Sequence, residues 1–463
     1  MTLIKSISGF RGTIGGKIGE NFTPVDIVVL ASAYAQWLQE QYPDRKLRVV
    51  VGRDARISGE MATLLVTGSL LGSGVDVVNI GLATTPSVEL AVVYENADGG
   101  IILTASHNPK QWNALKLLNS KGEFLNSEEG KCLLEIADRS EYLFPGVDKI
   151  GKIIKDCNFN DIHIKMILAS RFVDTDAIIK AKFKIVVDAV NSVGGIIIPQ
   201  MLKKLGVDVV ELNCEPTGNF AHNPEPLPEN LTEIARKVVE EKADFGIVVD
   251  PDVDRLALIC ENGEMFGEEY TLVSVADYVL SKTQGNAVSN ISSSQVLRDV
   301  AEKHGGQYFS AAVGEVNVVA KMKEANAVIG GEGNGGVIFP EIHYGRDALI
   351  GIALFLTNLA NRKMKISELR STYPDYFMSK NKVELMPNVN IDEIFERIKQ
   401  KYSSQRITDI DGVKIDFDSE KMWVLLRKSN TEPVIRVYSE ARDIETADRL
   451  AKKIIDEINE FTL

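Results

Sequence analysis

KLRVVVG at 46–52, VDVVNIG at 75–81 and GGIILTAS at 99–106 are short apolar runs bounded by turn residues, and each reads as a buried β-strand. Upstream, the stretch between 23 and 42 reads as a helix. Thr23 can cap it, Pro24 suits its first turn, and Ile27, Leu30, Tyr34, Trp37 and Leu38 recur at helical spacing. Strands that alternate with helices predict an α/β unit. The same grammar returns in KFKIVVDAV (182–190) with GVDVVEL (206–212), and again in ADFGIVVDPD (243–252) with NAVSNI (286–291). Three related α/β domains are therefore expected, with polar or glycine-rich loops at the strand ends where open α/β sheets build ligand sites. Beyond about residue 370, KVELMP, a helical NIDEIFERIKQKY, DGVKIDF, KMWVLLRKS and VIRVYSEA precede an amphipathic helix at 445–460. That texture predicts a smaller C-terminal α+β domain with an antiparallel sheet. The expected division is 1–145, 146–248, 249–368 and 369–463.

A chain of 463 residues exceeds what one hydrophobic core usually organises, which suits several domains. With 44% hydrophobic and 25% charged residues it falls in the globular range, excluding disordered and fibrous classes. Lys plus Arg is 52 against 65 for Asp plus Glu, a net charge of −13, so nucleic acid and anionic membrane are repelled at long range. Neither is expected as a partner, and any phosphate must be held locally. Cys132, Cys157, Cys214 and Cys260 form no C-x-x-C pair and are too few to staple so long a chain, which fits a reducing cytoplasm. The opening MTLIKSISGFRGTIGG meets glycine and arginine before an apolar signal-peptide core can form, and no run is long enough to cross a bilayer. The expected location is cytoplasmic.

Four segments carry candidate chemistry. Thr104-Ala-Ser-His-Asn-Pro109 follows a buried strand and ends in proline, so Ser106 and His107 should project from a tight turn; Ser106 reads either as a nucleophile or as a turn-forming serine. Lys116 lies close enough in sequence to return toward Ser106, although an isolated lysine often belongs to the surface. A serine hydrolase is disfavoured, because G-x-S-x-G is missing and nothing identifies an Asp–His pair.

Asp250-Pro-Asp252-Val-Asp254-Arg255 puts carboxylates at i, i+2 and i+4, on one side of an extended segment. Three carboxylates that face together repel unless a hard divalent cation neutralises them, and oxygen-only ligands select Mg²⁺, Mn²⁺ or Ca²⁺ over zinc. An EF-hand loop is excluded: its sixth position holds Arg255 in place of glycine, and LALIC after it reads as a strand. Gly330-Gly-Glu-Gly-Asn-Gly-Gly336 lacks G-K-[ST], so it is no nucleotide P-loop. It is either a plain hairpin turn or a loop presenting Glu332 and Asn334 to a small polar ligand. Arg427-Lys-Ser-Asn-Thr-Glu-Pro433, with Arg436 after it, gathers cations, hydroxyls and an amide, either as an oxyanion site or as a polar hairpin.

Together GFRGT (9–13), TASHNP (104–109), HNPEPLPENL (222–231), DPDVDR (250–255), GEGNGG (331–336) and RKSNTEP (427–433) resemble the motifs of the α-D-phosphohexomutase family. They stand in family order and span nearly the whole chain. The resemblance implies a heart-like arrangement of four domains, a phosphosugar substrate and Mg²⁺ as cofactor. It implies that Ser106 is the phosphoserine, that Asp250, Asp252 and Asp254 hold the metal beside it, and that Arg11, His107, Lys116 and Arg255 surround the transferring group. Lys116 is assigned proton transfer. Glu332 and Asn334 would grip ring hydroxyls, while Arg427, Ser429, Asn430, Thr431 and Arg436 would clamp the non-reacting phosphate. The implied activity interconverts hexose 1- and 6-phosphates through a 1,6-bisphosphate, with glucosamine phosphate preferred and mannose or glucose phosphate the alternative. A phosphosugar-binding protein without turnover is the reading from another class. Relatives often carry Glu-x-Ser-Gly-His in the sugar loop, whereas here no histidine can contact substrate from that position.

Overall fold

The computed structural model describes residues 1–6, 9–384, 390–428 and 434–462. Four sheets organise them. The first has seven strands, in the order Ile4–Ser6, Gly9–Thr13, Trp112–Leu118, Gly99–Leu103, Arg48–Arg53, Asp76–Leu82 and Ile153–Asp156. Its last four are mutually parallel and the rest antiparallel. Helix Pro24–Gln41 starts as the sequence predicts, with Thr23 and Asp26 closing a reciprocal capping box and Pro24 in the first turn. Its buried face, Ile27, Leu30, Tyr34 and Leu38, packs with Val49, Val51, Ile101 and Leu103 of the sheet.

The second sheet runs Leu256–Cys260, Phe245–Val249, Lys184–Asp188, Asp208–Leu212, and the third Tyr308–Ala311, Asn286–Asn290, Ala327–Glu332, Gly336–Ile338. These differ from the expected grouping. Phe245–Val249 forms an antiparallel hairpin with Leu256–Cys260, in register from Phe245↔Cys260 to Val249↔Leu256, so the acidic loop is a hairpin connection inside the second sheet. Both strands are wholly buried, and a division at 248/249 would cut their ladder. The stretch 243–252 therefore belongs with 182–212 and not with 286–291. Likewise Ile153–Asp156 pairs with Asp76–Leu82, which carries the first sheet past the expected boundary at 145.

The second and third units share one core, in which Phe245 meets Phe183 and Phe355 edge-on at 6.0 and 5.7 Å between ring centroids. The fourth sheet is antiparallel throughout, in the order Phe377–Glu384, Val434–Ala441, Met422–Lys428, Val413–Phe417, Arg406–Thr408. Helix Ile444–Thr462 covers it and supplies Leu450, Ile454 and Ile458 to a separate core. A small cluster of Ile291, Trp423 and Leu425 joins this unit to the third. Among the described residues no helix is long and apolar enough to cross a membrane.

Candidate active site

Ser106 follows strand Gly99–Leu103 in a turn that forces it to φ 47°, a region non-glycine residues rarely occupy. Its surroundings hold it there. Its N–H donates to Thr104 Oγ1 at 2.9 Å, and Thr104 Oγ1 donates to Asp54 Oδ2 at 2.7 Å. The guanidinium of Arg56, only 1% exposed, donates from Nε to Asp54 Oδ2 at 3.0 Å. From Nη1 it donates to the carbonyls of Pro109 and Trp112, both at 2.9 Å, and from Nη2 to those of Ser106 and Asn108. All five donors of Arg56 are thereby spent on fixing one loop.

The loop aims Ser106 Oγ at the second sheet, where it donates to Asp250 Oδ2 at 2.6 Å. Asp250, Asp252 and Asp254 are fully buried, and one carboxylate oxygen from each falls within 4.8 Å of the others. Among the described residues this is the one group of three or more His, Cys, Asp or Glu that could share a metal. The turn that gathers them puts Val253 at φ 64°, which is strained for a β-branched residue. Asp250 Oδ1 accepts the N–H groups of Asp254 and Arg255 at 3.2 and 3.1 Å. Asp252 Oδ2 accepts from Thr85 Oγ1 at 2.6 Å and Lys116 Nζ at 2.7 Å, and Asp254 Oδ2 from Arg346 Nη2 at 2.6 Å. The other oxygens, Asp252 Oδ1 and Asp254 Oδ1, are buried with no hydrogen-bond partner. An orphaned pair of buried carboxylate oxygens is costly unless a cation answers it, so the donor set fits a hard metal ion.

The electrostatics agree. Burial, with Asp254 and Asp252 alongside, pushes the Asp250 carboxyl well above the usual range. Against burial, which would raise it, the Lys116 ammonium holds Asp252 below that range. Against burial, which would lower it, Asp252 and Asp254 push Lys116 up, so it stays protonated. His107, whose Nδ1 lies 3.3 Å from Ser106 Oγ, is lowered to about 4 by burial and by the Arg255 charge, and is neutral at pH 7.

Arg11, Ser106, His107, Lys116, Arg255, Glu332 and Asn334 line one cleft of about 560 Å³. Arg255, Glu332 and Asn334 also line an adjoining cavity of about 340 Å³ together with Arg427 and Arg436. Predicted residues from all four units thus converge on one continuous depression, whereas Ser429, Asn430 and Thr431 lie outside the described residues. Glu332 is 5% exposed and already accepts from Arg346 Nη1 at 2.7 Å, Asn290 Nδ2 at 3.0 Å and Gly314 N at 3.2 Å. It keeps about one of a carboxylate's four acceptor directions for a ligand. A larger cavity of about 1260 Å³, lined from 174–183, 239–244, 261 and 359–368, shares no residue with this depression and has no convergent buried charges.

The motif reading passes over Asp54, Arg56, Thr85, Arg346, Glu269 and Lys380. Arg346 ties the halves of the site together: it bonds Asp254, Glu332 and, from Nε at 3.0 Å, Glu315. A usable signal exists in the sequence, since Gly-Arg-Asp-Ala occurs at 52–55 and again at 345–348, each directly beside a candidate loop or helix start.

Comparison with known proteins agrees with this geometry. Models of the phosphoglucomutase/phosphomannomutase α/β/α domains I, II and III match residues 4–143, 161–263 and 267–376, and that of the C-terminal domain matches 384–457. The chain is 38% identical over 443 residues to a phosphoglucomutase/phosphomannomutase of Thermococcus kodakarensis, covering 94% of this chain and 95% of the relative. It is 32% identical over 457 residues to a phosphoglucosamine/phosphogalactosamine mutase of Sulfurisphaera tokodaii, covering 96% and 98%. The crystal structure of a phosphoglucomutase/phosphomannomutase family protein from Burkholderia thailandensis superposes with a TM-score of 0.84 at 25% identity, covering 99% of this chain and 98% of that one.

Proposed function

We propose that this chain, which belongs to the phosphoglucomutase/phosphomannomutase family of phosphohexomutases, interconverts the 1- and 6-phosphates of glucosamine by way of a phosphoserine at Ser106. One observation carries the assignment of Ser106: its hydroxyl both lines the cleft and donates to Asp250 of the buried aspartate triad at 2.6 Å, whereas the other hydroxyl bonded to the triad, that of Thr85, is fully buried and lines neither cavity. A divalent cation, Mg²⁺ by the all-oxygen donor set, would be held by Asp250, Asp252, Asp254 and the Ser106 group, and would supply neutralisation of phosphoryl oxygens.

The chain's own residues do the rest. In the first half-reaction the P–O bond at Ser106 Oγ breaks, a P–O bond to a sugar hydroxyl forms, and the hydroxyl proton passes to a neighbouring base. In the second half the other phosphate returns to Ser106 Oγ, so no phosphate is consumed. The transfer asks chiefly for in-line placement and for positive charge on the equatorial oxygens. Lys116 and Arg255 supply that charge from opposite elements of the cleft, and the proton on Lys116 Nζ is available to a leaving oxygen. His107, neutral at pH 7 and with Nδ1 3.3 Å from Ser106 Oγ, stands where a proton could be received. Arg427 and Arg436, at the other end of the depression, suit the phosphate that is not reacting.

The amino sugar is favoured by the glycine-rich Glu332–Gly336 loop and by the Sulfurisphaera relative's name. The Thermococcus relative at 38% identity favours mannose or glucose phosphate as the second reading. Intact mass and turnover test both parts. Wild-type protein should carry one phosphate that is lost on incubation with substrate, and Ser106→Ala should fold normally, carry none and lose turnover. Residual activity of Ser106→Ala within tenfold of wild type would overturn the assignment. Rates on glucosamine, mannose and glucose 1-phosphates under one condition decide the sugar.

A further inference from the structure

Five carboxylates line the depression outside the aspartate triad: Glu225, Glu268, Glu269, Glu315 and Glu332. Four have a cation. Glu225 lies 3.6 Å from Arg255, Glu268 3.3 Å from Lys380, Glu315 3.0 Å from Arg346 and Glu332 2.7 Å from Arg346. Of the five, Glu269 alone has no ion pair among the described residues. Its Oε2 accepts the N–H of Ser294 at 2.9 Å, and no described donor bonds its Oε1.

The position of this side chain is built into the sugar loop. A Cβ on Gly333 would fall 2.0 Å from Glu269 Oε1 and 2.3 Å from its Cδ and Oε2. Any side chain at 333 would displace the Glu269 carboxylate, so the loop that carries Glu332 and Asn334 packs directly against it. Ser293, next to the residue that bonds Glu269, accepts the N–H of Gly333 at 3.1 Å and fixes the loop against it. Burial raises the Glu269 carboxyl to about 8, with the nearby Glu440 and Glu268 charges adding to it and the Lys380 charge, paired with Glu268, opposing it only in part. A carboxylate left without a cation in a ligand cleft is stabilised when the ligand brings one.

We infer that Glu269 is the specificity-determining residue for an amino sugar, receiving the ammonium group of a 2-amino-2-deoxyhexose phosphate beside the Glu332–Asn334 loop. This rests on the proposed phosphosugar mutase reading. A neutral hydroxyl or acetamido group at the same carbon gains nothing from the carboxylate, so selectivity should follow the charge of that substituent.

The test compares kcat/KM of wild type and Glu269→Gln on the 1-phosphates of glucosamine, N-acetylglucosamine and glucose. Glutamine keeps the shape and the bond to Ser294 N. The expected result is a fall of at least tenfold in the glucosamine-to-glucose ratio, with the value on glucose 1-phosphate within threefold of wild type and no gain on the acetylated sugar. An unchanged ratio, or an equal fall on all sugars, would overturn the role of Glu269 while leaving the mutase reading intact. Wild-type protein that turns over glucose phosphate but not glucosamine phosphate would overturn the amino-sugar preference, and this inference with it. A wild type inactive on all three would instead overturn the mutase reading.

Discussion

The two ends of the depression manage charge in opposite ways. At the transfer end, Ser106, the aspartate triad, Lys116 and Arg346 are buried or nearly so; Asp252 and Asp254 meet Lys116 and Arg346 within hydrogen-bond reach, and Asp250 takes the Ser106 hydroxyl and two backbone N–H groups. At the clamp end, strand register places Arg436 directly opposite both Arg427 and Lys382, so three cations stand side by side across the fourth sheet. Arg427 has Asp411 at 2.8 Å, but Arg436 is exposed with no ion pair among the described residues. The transfer end is organised before substrate arrives. The clamp end is left with an excess of positive charge, as the proposed site for either phosphate of a sugar that turns around would be.

The cores divide along the same line. The aspartate hairpin is rooted in the core shared by the second and third units, whereas the clamp's unit has its own core and meets the third through Ile291, Trp423 and Leu425. The part proposed to perform chemistry therefore rests on the larger core, and the part proposed to grip rests on the smaller one.

The largest effect is expected from loosening the transfer end without touching a reacting atom. Arg56→Lys keeps a charge beside Asp54 but cannot bond four carbonyls in one plane, so the Ser106 loop loses its fixed φ. A misplacement of about 1 Å costs roughly 10²-fold in rate. Steady-state kinetics should show kcat down by about that factor with KM changed far less. A kcat within threefold of wild type, in a variant whose thermal unfolding stays cooperative, would mean the loop is held by something else.

At the clamp end the expected signs are opposed. Arg436→Gln should raise KM about tenfold, the loss of one charge-assisted phosphate contact, while kcat changes little. The same change removes two like-charged cross-strand neighbours and should stabilise the empty protein by about 0.5 kcal/mol. Denaturant melts of the empty protein check the second half. A variant that is both weaker in binding and less stable would show that Arg436 is structural.

How much of this was legible in the sequence follows the range of the interactions. The aspartates at alternate positions, the serine after a buried strand and the glycine loop are local patterns, and all three lie where the motifs put them. Arg56 and Arg346 act through partners up to 56 and 92 residues away in sequence, and no local pattern fixes which carbonyl or carboxylate a buried arginine will find. The boundary after 248 failed for a related reason. Val249 and Leu256 flank the acidic loop as hairpin partners, but DPDVDR carries no glycine or Asn-Gly turn to announce it. Glu269 leaves no signal in the sequence, because what distinguishes it is its place against the distant Gly333 loop.

The smallest effect concerns what braces the transfer end from behind. His343 Nδ1 lies 3.1 Å from Glu89 and its Nε2 3.4 Å from Asp347, which also bonds His163 at 2.9 Å; His163 in turn meets Ser87 at 2.8 Å. These residues come from the first unit, the segment after it and the third, and they back the helix whose first N–H, that of Ala348, donates to Val253 of the aspartate loop. Against burial, which lowers it, the bond to Asp347 and the Glu89 carboxylate at 3.1 Å raise His343 to about 10. Burial, with Glu315 adding to it, raises Glu89 to about 8. A histidine raised in the folded state stabilises fully below its unfolded pKa of about 6.5, and that contribution is lost as pH rises through the folded value. A carboxyl raised in the folded state has the same sign, its contribution fading upward from about 4.5. Stability should therefore fall as the solution is made basic, by about 1 kcal/mol or more between pH 6.5 and 10, since one pKa unit is 1.36 kcal/mol. His343→Gln should be less stable at pH 6 and show a flatter decline between pH 8 and 10. If its unfolding curves instead ran parallel to wild type across that range, the charge on His343 would not be what holds the three segments together.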